Sequence, residues 1–313
     1  MNKLIPQFTV LLLAGWSINV WAFSCMDASG QTLHSMAGPG SVNVYVNLQP
    51  TIAVGQNLVV DISRSVVCRN DAPTHRNDNV MMLFGSMYGG ALSNFTGTLR
   101  YYGSSYTFPL RSATSPHNFT SGSYVPWNTQ LYLTPISAAS SVAIKGGTRF
   151  AQLVMYQVGS DITSGGNIQT VKFTWNLYSM RDVVVPTGGC DVSARDVTMT
   201  LPNYPGSMAV PVTVHCAQNQ NLSYYLSGTT TDSANSIFAN TASASPAQGV
   251  GVQMTRNGAI VSANNTISLG TVGPSPVNLG LTANYARTIG QVTAGNVQSL
   301  IGVTFIYQYI YGQ

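Results

Sequence analysis

The sequence predicts an all-β protein of two sandwich-like domains, and three observations carry the prediction. Apolar and polar residues alternate with a period of two in many short runs. Clusters of Gly, Pro, Asn and Asp punctuate those runs. Charged residues make up only 7% of the chain, too few to clothe the exposed faces of amphipathic helices. With 313 residues, 44% of them hydrophobic, the chain holds enough apolar material for two separate cores.

Residues 1–22 read as a secretory leader. Lys3 gives a positive start, Leu11-Leu12-Leu13-Ala14-Gly15 continues an apolar run, and Val20-Trp21-Ala22 forms a cleavage site. The run is shorter than the roughly 20 apolar residues that cross a bilayer, so the expectation is cleavage, with a mature chain starting at Phe23. Export places the four cysteines in an oxidising compartment, and their spacing sorts them into local pairs, Cys25 with Cys68 and Cys190 with Cys216. In the chain-entropy account each crosslink contributes roughly 3.5 to 4 kcal/mol. A metal site is the weaker reading, since no CxxC or HExxH spacing occurs, and no cofactor is expected.

Half-buried antiparallel strands follow. Val42, Val44, Val46 and Leu48 alternate with Asn43, Tyr45 and Asn47, and Val171, Phe173, Trp175 and Leu177 alternate with Lys172, Thr174 and Asn176. Turns are supplied by Gly38-Pro39-Gly40, Asn70-Asp71-Ala72-Pro73, Gly89-Gly90, Ser164-Gly165-Gly166-Asn167, Asn203-Tyr204-Pro205-Gly206 and Asn257-Gly258. Trp127 and Trp175 are expected in the core. The clearest boundary is the extended stretch ending in Pro186-Thr187-Gly188-Gly189, just before Cys190. It gives a first domain over 23–182, a linker over 183–189 and a second domain over 190–313. The second domain alternates at Val197, Met199 and Leu201, at Val210, Val212 and Val214, and from Val303 through Phe305, Tyr307, Tyr309 and Tyr311. About six strands are convincing where an Ig-like sandwich has about seven. Pattern alone leaves two readings open: a complete sandwich with one unrecognised strand, or an incomplete one whose groove takes a strand from elsewhere.

All 9 acidic residues are aspartates, which excludes glutamate-based acid/base or metal chemistry. The formal charge of +4 comes from scattered Lys and Arg with no dense run, which argues against nucleic acid or a polybasic membrane contact as partner.

Specific segments carry a family resemblance. Phe23-Ser24-Cys25, Gly55-Gln56-Asn57-Leu58-Val59-Val60-Asp61 and Leu131-Tyr132-Leu133-Thr134-Pro135 resemble the N-terminal lectin domain of the FimH family, the tip adhesins of type 1 fimbriae. Pro186-Thr187-Gly188-Gly189-Cys190-Asp191-Val192-Ser193 and Ser245-Pro246-Ala247-Gln248-Gly249-Val250 resemble that family's pilin domain. The resemblance implies a jelly-roll-like lectin β-sandwich followed by an Ig-like pilin domain lacking its last strand, which an adjacent fimbrial tip subunit donates. It also implies export through the periplasm with a periplasmic chaperone and an outer-membrane usher, to the fimbrial tip at the cell surface. Host glycoprotein glycans are the implied ligands, with a terminal hexose, mannose first, as the sugar.

A sugar site must replace the hydration of several hydroxyls, and charge-assisted hydrogen bonds do so efficiently, at roughly 1.5 to 3 kcal/mol each. Asn70, Asp71 and Asp78, which follow Cys68, and Gln157 at a strand end are similar to the family's sugar ligands in type and spacing. Cleavage at Ala22 would add the α-amino group of Phe23, held close by the Cys25–Cys68 bond. Without the resemblance, Asn70 and Asp71 also read as turn residues serving their own backbone, Asp78 as a loop charge and Gln157 as a strand end. His75, Arg76 and His117 have no partners at catalytic spacing and read as surface residues.

Departures from the family bear on the sugar. Ala72 stands where the family has a tyrosine and Arg76 where it has an isoleucine, and Met36 only loosely replaces an apolar rim residue. The loop over residues 158–170 is longer than its counterpart, with Asp161 and Asn167 as candidate ligands. Because Ser164-Gly165-Gly166-Asn167 resembles a loop of galactose-binding relatives, a galactose or N-acetylgalactosamine adhesin is the alternative. A non-lectin structural adapter is another. The chain also continues past the family's end, over residues 309–313. No enzyme is expected, although a glycoside hydrolase would need two carboxyls about 5 to 9 Å apart, for which Asp71 and Asp78 are the available pair.

Overall fold

The computed structural model describes residues 23–33 and 40–307. The leader, Met36 with Gly38-Pro39, and the extension at 309–313 lie outside the described residues. Every regular element among the described residues is a β-strand or a single 3-10 turn.

The first domain is a β-sandwich. Its six-stranded sheet runs in the order Gly40–Val46, Gln169–Ser179, Arg149–Asp161, Arg76–Met82, His117–Phe119, with Met87–Tyr88 also paired to Arg149–Asp161. A four-stranded sheet follows the order Asn57–Asp61, Thr129–Leu133, Gly97–Tyr101, Ser104–Phe108. A three-stranded one sets Val66–Asn70 between Phe23–Asp27 and Val125–Pro126. All three contribute to one buried cluster. The alternation works as read: Val44, Val46 and Leu48 are buried while Tyr45 between them is half exposed. Trp127 and Trp175 lie at the centre of this core, their rings 4.7 Å apart.

A separate cluster built on Tyr224, Leu226, Phe238 and Leu281 forms the core of the second domain. There the hairpin Val250–Arg256 to Ala259–Val261 turns through Asn257 and Gly258, at φ +50° and +79°, the left-handed pair that a two-residue hairpin turn demands. Each domain carries its expected disulfide. Cys25 faces Cys68 and Cys190 faces Cys216 across paired strands, so each bond bridges neighbours already in register.

One predicted strand does not form. Residues 197–201 alternate, yet they make no ladder. Instead Val197, Met199 and Leu201 line an open groove of about 910 Å³, together with Leu226, Leu281 and Phe305. The physical reason is the absence of a partner: the last described strand, Gly302–Tyr307, pairs with Gln220–Ser227 and then ends its sheet as an edge. Among the described residues the second domain is therefore an Ig-like sandwich short of one strand.

The junction is not a free connector. Val183–Pro186 pairs with Ser141–Ile144, and Gly188–Val192 pairs with Ser137–Ala139. Asn57, fully buried, donates through Nδ2 to the carbonyls of Pro186 at 3.1 Å and Gly188 at 2.7 Å. Thr187, also fully buried, donates its backbone N–H to the Ser140 carbonyl at 2.8 Å.

Candidate functional site

Two paired strands build the centre of the site. Arg76–Met82 runs antiparallel to Arg149–Asp161 with Arg76 opposite Asp161, Asp78 opposite Gly159 and Val80 opposite Gln157. Period two puts Arg76, Asp78, Gln157, Gly159 and Asp161 on one face at the end of the sheet. Asp78 and Gln157 are enclosed, at 0% and 1% exposure. Gln157 Nε2 donates to Asp78 Oδ1 at 2.6 Å, while Asp78 Oδ2 and Gln157 Oε1 have no protein partner. Burial pushes the Asp78 carboxyl up to about 7; the Gln157 hydrogen bond and the Arg76 charge work against that rise, and Asp71 adds to it.

Arg76 is the residue the sequence misplaced. Read as a surface residue, it is 6% exposed and folds inward. Its Nη1 donates to Asp161 Oδ1 at 2.7 Å and to the Asn167 carbonyl at 2.9 Å. Those partners lie far along the chain and supply the countercharge that lets a guanidinium leave water. The loop that brings them is a tight turn: the Asp161 N–H donates to the Gly166 carbonyl, the Gly165 N–H donates to the Asp161 carbonyl, and Gly165 and Asn167 take φ of +66° and +48°. Asn167 Nδ2 also approaches Asp161 Oδ1, at 3.4 Å. On the same loop Ile162 and Ile168 are exposed, an apolar edge that sequence reasoning passed over. Its only signal was two isoleucines in an otherwise polar turn.

Asn70, Asp71 and Phe23 form the neighbouring wall. Asn70 spends its carboxamide on the backbone: Nδ2 donates to the carbonyls of Arg76 at 2.7 Å and Phe119 at 3.0 Å, and Oδ1 accepts from Ala72 N at 2.8 Å. This is the turn role the sequence allowed, and it fixes where Arg76 begins its strand. Asp71 Oδ1 accepts from Arg69 Nε at 2.6 Å and Ser24 Oγ at 2.8 Å, while the Arg69 guanidinium lies 4.5 Å over the Tyr124 ring. The Phe23 ring packs edge-on against Phe119 at 4.8 Å, and its backbone lies opposite Asn70. Cleavage after Ala22 would thus leave an amine beside the Asn70–Asp71 turn. His117 stands apart from the carboxylates, stacked on Tyr102 with ring centroids 3.4 Å apart, and burial pushes its pKa down. Among the described residues no group of three His, Cys, Asp or Glu could hold a metal ion. The cluster offers hydrogen-bond donors and acceptors suited to binding a polar ligand.

A sandwich with an enclosed polar cluster is thus joined to an Ig-like domain with an open groove, and comparison with known proteins gives the family. Residues 25–176 match the family model described as FimH, mannose binding, and residues 179–308 match that described as Fimbrial protein. The chain is 60% identical over 308 residues to the type 1 fimbrin D-mannose specific adhesin of Escherichia coli (strain K12), covering 98% of this chain and 100% of the relative. It is 39% identical over 293 residues to the S-fimbrial protein subunit SfaH of Escherichia coli O6:K15:H31 (strain 536 / UPEC), covering 90% and 95%. The chain belongs to the FimH family of fimbrial adhesins, exported to the cell surface. A solved chaperone–tip adhesin complex of Csu pili from Acinetobacter baumannii aligns over 87% of this chain and 99% of that one, at 11% identity and a TM-score of 0.28.

Proposed function

We propose that the chain binds a terminal hexose on host glycans, mannose ahead of galactose, at the cluster of Asp78, Gln157, Asp161 and Asn167. Asp71 and the amine of a cleaved Phe23 stand at its margin, and Asn70 shapes the turn between them. The observation that carries this reading is the enclosed Asp78–Gln157 pair, in which each side chain keeps one acceptor oxygen with no protein partner. Enclosed polar atoms are matched in the great majority of native structures, so unmatched ones at a strand end point to a ligand or ordered water. Mannose leads because the relative 60% identical to this chain is named a D-mannose specific adhesin. No covalent step is involved.

In the same reading the second domain docks in the fimbria by accepting an extended strand from an adjacent subunit into the groove between residues 197–201 and Gly302–Tyr307. The periplasmic chaperone holds that groove first, and the outer-membrane usher hands the subunit on. The clamped junction at Asn57 is then the place where pull on the fimbria would reach the sugar site. A glycan-array screen of the mature full chain, with Asp78→Asn as control, tests the function. Terminal mannose retained by the native chain and lost in the control supports it. Terminal galactose in its place makes the turn at Asn167 the determinant, and silence across the array leaves a structural adapter.

A further inference from the structure

The enclosed cluster contains two unpartnered donors as well as two unpartnered acceptors. Arg76 Nε and Nη2 make no protein hydrogen bond, although the side chain is 93% buried, at 7% relative exposure, and its Nη1 is fully engaged. Nε–H and the adjacent Nη2–H form one edge of a planar fork with fixed direction, suited to two neighbouring oxygen atoms. In the same cluster Asp78 Oδ2 and Gln157 Oε1 are likewise enclosed and without a protein partner.

Gly159, on the neighbouring strand, stands beside both groups: a Cβ there would lie 3.0 Å from Arg76 Nη2 and 3.3 Å from Asp78 Oδ1, crowding the guanidinium and the carboxylate. Two free donors and two free acceptors in one cluster match the needs of two hydroxyls, because each hydroxyl gives one hydrogen and accepts another. A carboxylate fits less well: it would satisfy the fork and leave both acceptors facing further acceptors. Asp161 already neutralises the guanidinium, so no net positive charge is left to draw an anion.

Building on the hexose-binding reading above, we infer that Arg76 is a sugar-contacting residue. Its Nε–Nη2 edge accepts a pair of adjacent ring hydroxyls, which in turn donate to Asp78 and Gln157. An apolar residue at position 76 would form a rim; the arginine reads the hydroxyl pattern directly and becomes a specificity determinant.

Calorimetric titration of the mature full chain tests this, with methyl α-D-mannopyranoside, methyl β-D-galactopyranoside and the monodeoxy derivatives of whichever binds. In the native chain, removing either hydroxyl of one adjacent pair is expected to cost roughly tenfold or more in affinity, the loss of a hydrogen bond to a charged group. In Arg76→Met those two penalties shrink while the others persist, and Arg76→Lys does not restore them. Gly159→Ala, which retains all four polar groups but crowds the guanidinium and the carboxylate, lowers affinity as well. Arg76→Met with Asp161→Asn repeats the test with no unpaired aspartate left behind, so that misfolding is not mistaken for lost contact. An Arg76→Met chain, single or paired with Asp161→Asn, that binds as tightly as the native one with the same deoxy profile overturns the inference. Should Asp78→Asn alone abolish binding, the hexose reading survives that failure. A native chain silent toward both glycosides overturns the two together, and preference for a carboxylate-bearing sugar overturns the hydroxyl count.

Discussion

The pocket of the first domain and the groove of the second differ in what they lack. Around Asp78 the missing element is hydrogen-bond partners: four enclosed polar atoms, two on Arg76 and one each on Asp78 and Gln157, make no protein hydrogen bond. Around Phe305 the missing element is apolar surface, because a groove of about 910 Å³ exposes side chains that elsewhere in the domain would be covered. A polar vacancy rewards matched geometry and gives selectivity, since a misplaced hydroxyl leaves an unpaired group behind. An apolar one rewards contact area and gives adhesion of part to part. On the function proposed above, one chain would separate recognition from assembly by using two kinds of unfinished structure.

That contrast can be broken most visibly at the groove. An extended peptide with about four alternating Val or Ile residues contributes about 1.5 to 3 kcal/mol per side chain it buries. It is expected to raise the melting temperature of the second domain by more than about 10 °C, read by calorimetry, while leaving sugar affinity unchanged. A peptide that binds without stabilising the domain would show that it sits elsewhere. Next in size, replacing Cys190 and Cys216 by serine removes a crosslink spanning 26 residues and should cost about 3.5 kcal/mol in denaturant unfolding.

The pocket is sharpened by pH. In the unfolded chain Asp78 titrates near 3.8, and in the folded chain near 7. Below the lower value both states hold the proton and the residue costs nothing. As pH rises to the upper value the folded state is progressively penalised, so stability declines through that window by a few kcal/mol. Asp78→Asn should flatten this slope in unfolding curves recorded across the range, and an unchanged slope would mean another group is responsible. Asn57→Ala leaves two junction carbonyls without their donor and should cost about 1 to 3 kcal/mol. Faster proteolysis between residues 183 and 189 is its signature. The smallest effect is expected at the rim: Ile168→Ser should weaken binding of an aryl glycoside a few-fold, roughly one buried methylene or two, and leave the methyl glycoside unaffected.

Legibility in the sequence tracks how local the cause is. Period two set the inward faces of Gly40–Val46 and Gln169–Ser179, because each strand's burial pattern is its own alternation. Residues 197–201 alternate just as clearly, yet a ladder also needs a neighbour, and that neighbour is not among the described strands. Asp78 and Gln157 were legible by type and spacing through resemblance. Arg76 was not, since its inward turn depends on Asp161, 85 positions away, and a lone arginine in a strand reads as solvated. Asn57 escaped for the same reason: the carbonyls that its side chain serves lie 129 and 131 positions further on.

The edge strand Gly302–Tyr307 carries a consequence for the life of the molecule before it reaches the fimbria. An unpaired edge beside exposed apolar side chains is a template that any extended chain can join, including another copy of the same protein. Free subunits at high concentration are therefore expected to cross-pair and precipitate unless another chain occupies that edge. It is a part that cannot be stockpiled.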